Sequence, residues 1–228
     1  MKFPNYEIFK DGDAVAEQAC QRILDAAEKA IVQRGQFKIV LAGGTTPEAS
    51  YRALATKDSD WANWHVYIGD ERCLPADDAD RNSVMAARSL TSRVAIPVEQ
   101  VYLIDAEKGS EIAAKAYASI VNAALPFDMV LLGMGEDGHT ASLFPGHEHD
   151  KNDTTHAVHG APKPPSDRVS LSASALANTR ECLMLITGAG KQAPLSRWLA
   201  GETLPIATIN AENTLIMLDE AAWPKDNS

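Results

Sequence analysis

Residues 127–145, FDMVLLGMGEDGHTASLFP, hold the densest set of groups in this chain that could do chemistry. An apolar run ends in Gly133, Gly135 and Gly138, and among these glycines stand Glu136, Asp137 and His139. Glycines let a backbone turn sharply and approach a ligand closely. Histidine is the side chain whose ordinary pKa lies near neutrality, so His139 is a candidate general base. Asp137, two residues earlier, either orients the imidazole or shapes the turn. The glycine spacing also satisfies G-x-G-x-x-G, but a dinucleotide-binding fingerprint needs an uninterrupted helix after the third glycine. Here Pro145, Gly146 and a loop rich in His, Asp, Asn and Lys follow.

Three further clusters resemble this one in placement. Gly43, Gly44, Thr45, Thr46 and Pro47 combine two glycines, two hydroxyls and a proline suited to a first helical turn, which leaves N–H groups free for a phosphate. Asp70 and Arg72 fall in GDERC, and Lys191 ends TGAGK. That GK pair is not a P-loop, because Leu185 stands where its first glycine belongs and Gln192 where Ser or Thr would hold magnesium.

These clusters need elements to position them. Residues 37–42, 65–68, 127–132 and 181–187 read as short buried strands, and each runs directly into one of the four clusters. Between them the spacing predicts helices over 14–34 with Asp13 as cap and Gly35 as stop, 48–55, 82–90 with Asp80 or Asn82 as cap, 110–124, and from Lys191 to about 200. Residues 101–104 read as an edge strand, 168–172 as an alternating strand and 215–218 as a last strand; 146–166 reads as an irregular surface excursion. Such alternation implies a single α/β domain over 1–228, a Rossmann-like, doubly wound, mostly parallel sheet with helices on both faces. All strand carboxyl ends then lie along one edge, so clusters scattered over about 150 residues of chain converge where α/β sheets bind ligands.

Composition narrows the partners. A net charge of −10 and a pI near 5.0 disfavour nucleic acid or an anionic membrane, so an anionic substrate must be held by a few local cations. There is no run of about 18 apolar residues and no apolar signal-peptide core, and a cytoplasmic protein is expected. Cys20, Cys73 and Cys182 are odd in number and far apart, which argues for reduced thiols. His147, His149, His156 and His159 lack the regular spacing of a preorganised metal site, so no metal and no cofactor is expected. Without a G-x-S-x-G elbow or a Cys–His pair, a protein nucleophile is disfavoured, and water activated by His139 fits better.

The motifs LAGGTTPEASYRAL, GDERCLPADDADRNS, FDMVLLGMGEDGHTASLFPG, APKPPSDRVSLS and LITGAGK resemble the sugar-phosphate family of 6-phosphogluconolactonases and glucosamine-6-phosphate isomerases/deaminases, and the resemblance extends over nearly the whole chain. GDER with DRNS, GMGEDGHTASLFPG and APKPP with a following Arg are the form of the lactonase branch. The resemblance implies hydrolysis of 6-phospho-D-glucono-1,5-lactone, the second step of the oxidative pentose phosphate pathway; the sequence leaves monomer and small homo-oligomer both open. The resemblance also implies His139 as base and, together with the charge argument, the phosphate on Arg72, Arg168 and Lys191 with Thr45 and Thr46 assisting. The deaminase branch is similar in its GG-T/S loop and DGH element, but a glutamate lies seven residues after the aspartate there, where this chain has Phe144; Arg72 also replaces that branch's tyrosine.

Overall fold

In the computed structural model, residues 3–148, 150 and 152–224 are described. The strands are β1 (Asn5–Phe9), β2 (Phe37–Leu41), β3 (Trp64–Ile68), β4 (Asp70–Arg72), β5 (Val101–Tyr102), β6 (Phe127–Gly133), β7 (Thr155–Val158), β8 (Arg168–Leu171), β9 (Thr179–Ile186) and β10 (Thr214–Asp219). The helices are α1 (Gly12–Arg34), α2 (Thr45–Leu54), α3 (Asn82–Ala86), α4 (Ser110–Ala124), α5 (Ala173–Ala177) and α6 (Gln192–Leu199).

Seven strands form one sheet in the order β1-β10-β9-β6-β2-β3-β5, and every neighbouring pair is parallel. The chain runs outward from β2 to β3 and β5, returns across the sheet to β6, and then runs the other way through β9 to β10. β2 and β6 are therefore adjacent strands whose connections diverge, and a crevice opens between their carboxyl ends. β6 is the most enclosed strand, buried from Phe127 to Leu132. It lies between β2 and β9 with both faces covered, which is why its sequence is an apolar run, broken only by Asp128, whose buried carboxylate pairs with Arg34 at 2.8 Å. The α/β class and the parallel sheet stand as expected.

Other expectations are corrected. The α1 cap is Asp11, whose carboxylate accepts the Ala14 N–H at 2.9 Å, and Asp13 lies inside the first turn. Residues 70–72 and part of the 146–166 stretch are not loops: β4, β8 and β7 form an antiparallel sheet. β8 is the alternating strand expected over 168–172, whereas β4 and β7 are three and four residues long and carry Asp70, Glu71, Arg72 and His156, so no apolar period announced these two. The helix expected to reach Leu90 is α-helical only to Ala86 and continues as one π-helical turn over 87–91. Neither Asp80 nor Asn82 caps it. Glu71, wholly buried, accepts the N–H groups of Asn82 at 2.8 Å and Ser83 at 2.9 Å. A carboxylate from a neighbouring strand thus does the work of a local cap and suits the positive end of the helix.

The end of β2 is fixed from α2. The hydroxyl of Tyr51, fully buried, accepts the Ala42 N–H at 2.9 Å and donates to the Ala42 carbonyl at 3.0 Å. Ala42 leads into the glycine turn, where a sheet can no longer satisfy its backbone. Tyr51→Phe should therefore lower the unfolding free energy by about 1–3 kcal/mol, the cost of leaving such groups unpaired. Urea unfolding checks this, and an unchanged midpoint would contradict it.

Candidate active site

A cavity of about 360 Å³ opens at the carboxyl ends of β2, β6 and β9. Gly43, Gly44, Thr45, Thr46, Asp70, Arg72, His139, Arg168 and Lys191 all line it, as do Asn82, Ala141, Phe144, Lys163 and Thr187. The four clusters do converge. Asp137 stands behind the wall and acts on His139.

His139 and Asp137 are joined twice. Oδ1 of Asp137 accepts the His139 backbone N–H at 3.1 Å and lies 2.5 Å from Nδ1 of the same residue. Asp137 therefore shapes the turn and orients the ring. Burial opposes ionisation of Asp137, but the backbone N–H and the ring of His139 outweigh it and hold the carboxyl below its ordinary pKa. An ionised carboxylate can only accept, so Nδ1 carries the proton and Nε2 of the neutral ring keeps its lone pair. The ring is 18% exposed, and Nε2 makes no hydrogen bond among the described residues.

The turn itself is closed by Gly135, whose N–H donates to the His139 carbonyl at 2.8 Å. Ala141 then adopts φ 47, a left-handed conformation that costs an alanine about 1–2 kcal/mol. The bend delivers Ser142 to Asp70, to which its hydroxyl donates at 2.6 Å. Asp70 also accepts from the Asn82 amide at 3.0 Å. Burial pushes its carboxyl above the ordinary value, against the hydroxyl of Ser142 and the charges of Arg72 and Arg168. Asp70 is thus a brace in the wall of the site. Asn82 in turn fills the space a side chain at 43 would need, since a Cβ on Gly43 would lie 2.3 Å from its Oδ1.

The cations divide by role. Lys191 is held below the ordinary lysine pKa chiefly by burial, with Glu136 opposing. Arg168 is buried, and its Nε donates to the Pro165 carbonyl at 3.2 Å while Nη2 donates to those of Lys163 and Pro164 at 3.0 and 3.2 Å. Its guanidinium lies 5.6 Å from the centroid of the Phe144 ring, and that ring lies 4.8 Å from the ring of His139. Arg168 therefore shapes the loop that carries Lys163 into the cavity. Arg72 donates to the Asp80 carbonyl. Opposite them, the α2 N–H groups of Thr45 and Thr46 and that of Gly44 have no acceptor among the described residues. Thr46 pairs its hydroxyl with Thr187 at 2.5 Å and ties α2 to the end of β9.

Sequence reasoning did not single out Lys163, Asn82 or Thr187 for the site. Lys163 lies inside the APKPP stretch, where a lysine followed by two prolines is a signal of a rigid, exposed cation; nothing local marks the other two. Among the described residues no group of three or more His, Cys, Asp or Glu could hold a metal ion. His159 contacts Glu111 at 3.0 Å and Asp167 at 3.1 Å, His156 is buried in β7, and His147 packs on Phe144. His149 lies outside the described residues. No helix among them is long and apolar enough to cross a membrane.

An imidazole held by a carboxylate and lining a cationic cavity at the switch point of a parallel sheet is the arrangement of an α/β protein with a site for a small anionic molecule. The family described as glucosamine-6-phosphate isomerases/6-phosphogluconolactonase matches residues 10–218, and the chain belongs to it. A Mycobacterium tuberculosis protein named 6-phosphogluconolactonase is 37% identical over 96% of this chain and 97% of its own. The crystal structure of 6-phosphogluconolactonase from Thermotoga maritima superposes with a TM-score of 0.88 at 28% identity, covering 95% of this chain and 99% of that one. A monomeric glucosamine-6-phosphate deaminase shares the fold, with a TM-score of 0.85 at 18% identity, covering 96% and 98% of the two chains.

The lowered pKa of Asp137 gives a pH prediction. A carboxyl depressed in the folded state contributes stability above its unfolded pKa and loses it as pH falls through the folded value. The melting-temperature advantage of the parent over Asp137→Asn should be greatest near neutrality and close on acidification to below about pH 4. A difference that widened in acid would contradict this.

Proposed function

We propose that this protein hydrolyses 6-phospho-D-glucono-1,5-lactone to 6-phosphogluconate in the cytoplasm, as the second step of the oxidative pentose phosphate pathway. The observation that carries the reading is the contact of the His139 Nδ1 with the Asp137 carboxylate, beside a cavity walled by cations and free N–H groups. The names of the relatives support the same substrate.

Nε2 of His139 takes a proton from water as the oxygen attacks C1 of the lactone. Negative charge develops on the carbonyl oxygen inside a cavity whose donors for it are the N–H group of Gly44 and the guanidinium of Arg72. The imidazolium, steadied by Asp137, returns its proton to the ring oxygen as the C1–O bond breaks. An ester carbonyl of this reactivity needs no covalent intermediate. Lys191 and Lys163 hold the phosphate, with Thr45 and Thr46 assisting. Of the other two cations that the resemblance and the charge argument put on the phosphate, Arg168 serves that end by shaping the Lys163 loop, and Arg72 is assigned instead to the carbonyl oxygen. Fixing the phosphate fixes C1 against Nε2, which is where proximity lowers the barrier.

The test is hydrolysis of freshly generated lactone, corrected for its spontaneous rate, with glucosamine 6-phosphate deamination as control. His139→Ala should lower kcat by about 10²-fold while the fold survives. Deamination without lactone hydrolysis would overturn the proposal, and near-parental turnover of the variant would remove His139 from it.

The two lysines make a separate prediction. Lys163→Ala and Lys191→Ala should each raise KM by about tenfold with a smaller change in kcat, because a remote phosphate clamp binds ground and transition states alike. Calorimetric titration with 6-phosphogluconate should show the same loss. Parental affinity in both variants would place the phosphate elsewhere.

A further inference from the structure

The acid and the base of the site are separated by one residue, Gly138, whose φ is 88. Glycine has the widest conformational freedom of any residue, so beyond the bonds that close the turn, from Gly135 to the His139 carbonyl and from the His139 N–H to Asp137, the peptides at Gly138 gain from a hold outside the turn. Both peptide planes that flank Gly138 are in fact held by one segment. Nη2 of Arg197, on α6, donates to the Asp137 carbonyl at 3.0 Å, and the N–H of Ile206 donates to the Gly138 carbonyl at 3.2 Å. Leu204 packs so close that a Cβ on Gly138 would lie 2.7 Å from its Cδ1. Nη1 of Arg197 is itself fixed by Glu202 at 3.0 Å, and the Glu202 N–H returns to the Arg197 carbonyl at 3.0 Å.

An exposed arginine–glutamate pair contributes little to stability as such. A charged donor on a backbone carbonyl is stronger and more directional, and this carbonyl belongs to the residue that orients the base. We infer that Arg197 is a positioning residue: by gripping the Asp137 carbonyl it holds the Gly138 peptide in place and aims Nε2 of His139 at the substrate. It touches neither substrate nor base. The kinetic side of this inference rests on the hydrolysis proposed above.

Arg197→Met keeps the aliphatic stem and removes the donor, and Arg197→Lys restores a cation. The Met variant should lose about tenfold in kcat, since a small misplacement of a catalytic group is costly, with KM changed by less than about twofold. The Lys variant should recover most of the loss. An activity-independent readout is the Nδ1 proton resonance of His139 in protein labelled with 15N-histidine. It should be sharp in the parent, broadened by exchange in Arg197→Met, and sharp again in Arg197→Lys. Glu202→Gln, which frees Arg197 without removing it, carries the same readouts should the Met variant not fold. Unchanged kcat in a folded Met variant, or lowered kcat with an unmoved resonance, would overturn the positioning role. A resonance that responds in a protein with no lactone hydrolysis would leave that role standing and sink the proposed reaction instead.

Discussion

A methyl group at residue 135 would lie 2.0 Å from Nδ1 of His139 and 2.8 Å from Oδ1 of Asp137. The site depends on the absence of that methyl. The chain leaves β6, folds back within five residues, and lays the imidazole over its own starting point, where carboxylate and ring meet. Any side chain at 135 would displace the ring and separate it from Asp137. The rigid platform for so tight a fold is β6, enclosed between β2 and β9, which delivers the turn to the crevice where those strands' connections diverge. Gly43 obeys the same constraint across the crevice, because Asn82 occupies the volume of its missing side chain.

The charged residues of the motifs divide between those that organise backbone and those that face the cavity. Glu71 caps α3 and contacts Arg81 at 3.3 Å, and both are buried; GDER and DRNS are thus two halves of one structural joint. Arg168 satisfies three carbonyls of a proline-rich loop whose backbone offers few donors of its own. Asp70 braces Ser142 and Asn82. Burying a charge is tolerable only where it is paired or well hydrogen-bonded, and each of these meets that condition. The amines that retain cavity exposure, Lys163 and Lys191, have fewer fixed partners and are therefore the groups free to meet an anion.

The sequence made the parallel sheet legible because strands buried on both faces must be continuous apolar runs, and β2, β3, β6 and β9 were read from that pattern. It made the convergence of four loops legible because parallel strands place their carboxyl ends together. It did not make β4 and β7 legible: each is short, and their polar residues are satisfied by partners distant in sequence. The Glu71 cap escaped notice for the same reason, since a capping rule looks three residues away and this carboxylate comes from eleven. Lys163 was visible as a residue but not as a site residue. Its approach to the cavity depends on Arg168 gathering carbonyls from a loop that carries no periodicity.

Because a glucosamine-6-phosphate deaminase shares this fold, the backbone supplies the crevice and the glycine turn without deciding the reaction. That decision falls to side chains, and Phe144 is the most telling. Resemblance to the deaminase branch would put a carboxylate at this position, seven residues after Asp137. Here an apolar ring lies 4.8 Å from His139 and under the guanidinium of Arg168. A carboxylate in its place would compete with Asp137 for the imidazole and draw Arg168 away from the Lys163 loop. It would also repel a phosphorylated substrate that a chain of net charge −10 already disfavours at long range. The aromatic ring avoids all three effects: it offers Arg168 a π face, leaves Asp137 as the carboxylate that His139 addresses, and adds no negative charge to the wall. One side chain thus lets His139, Arg168, Lys163 and Lys191 share a cavity of about 360 Å³.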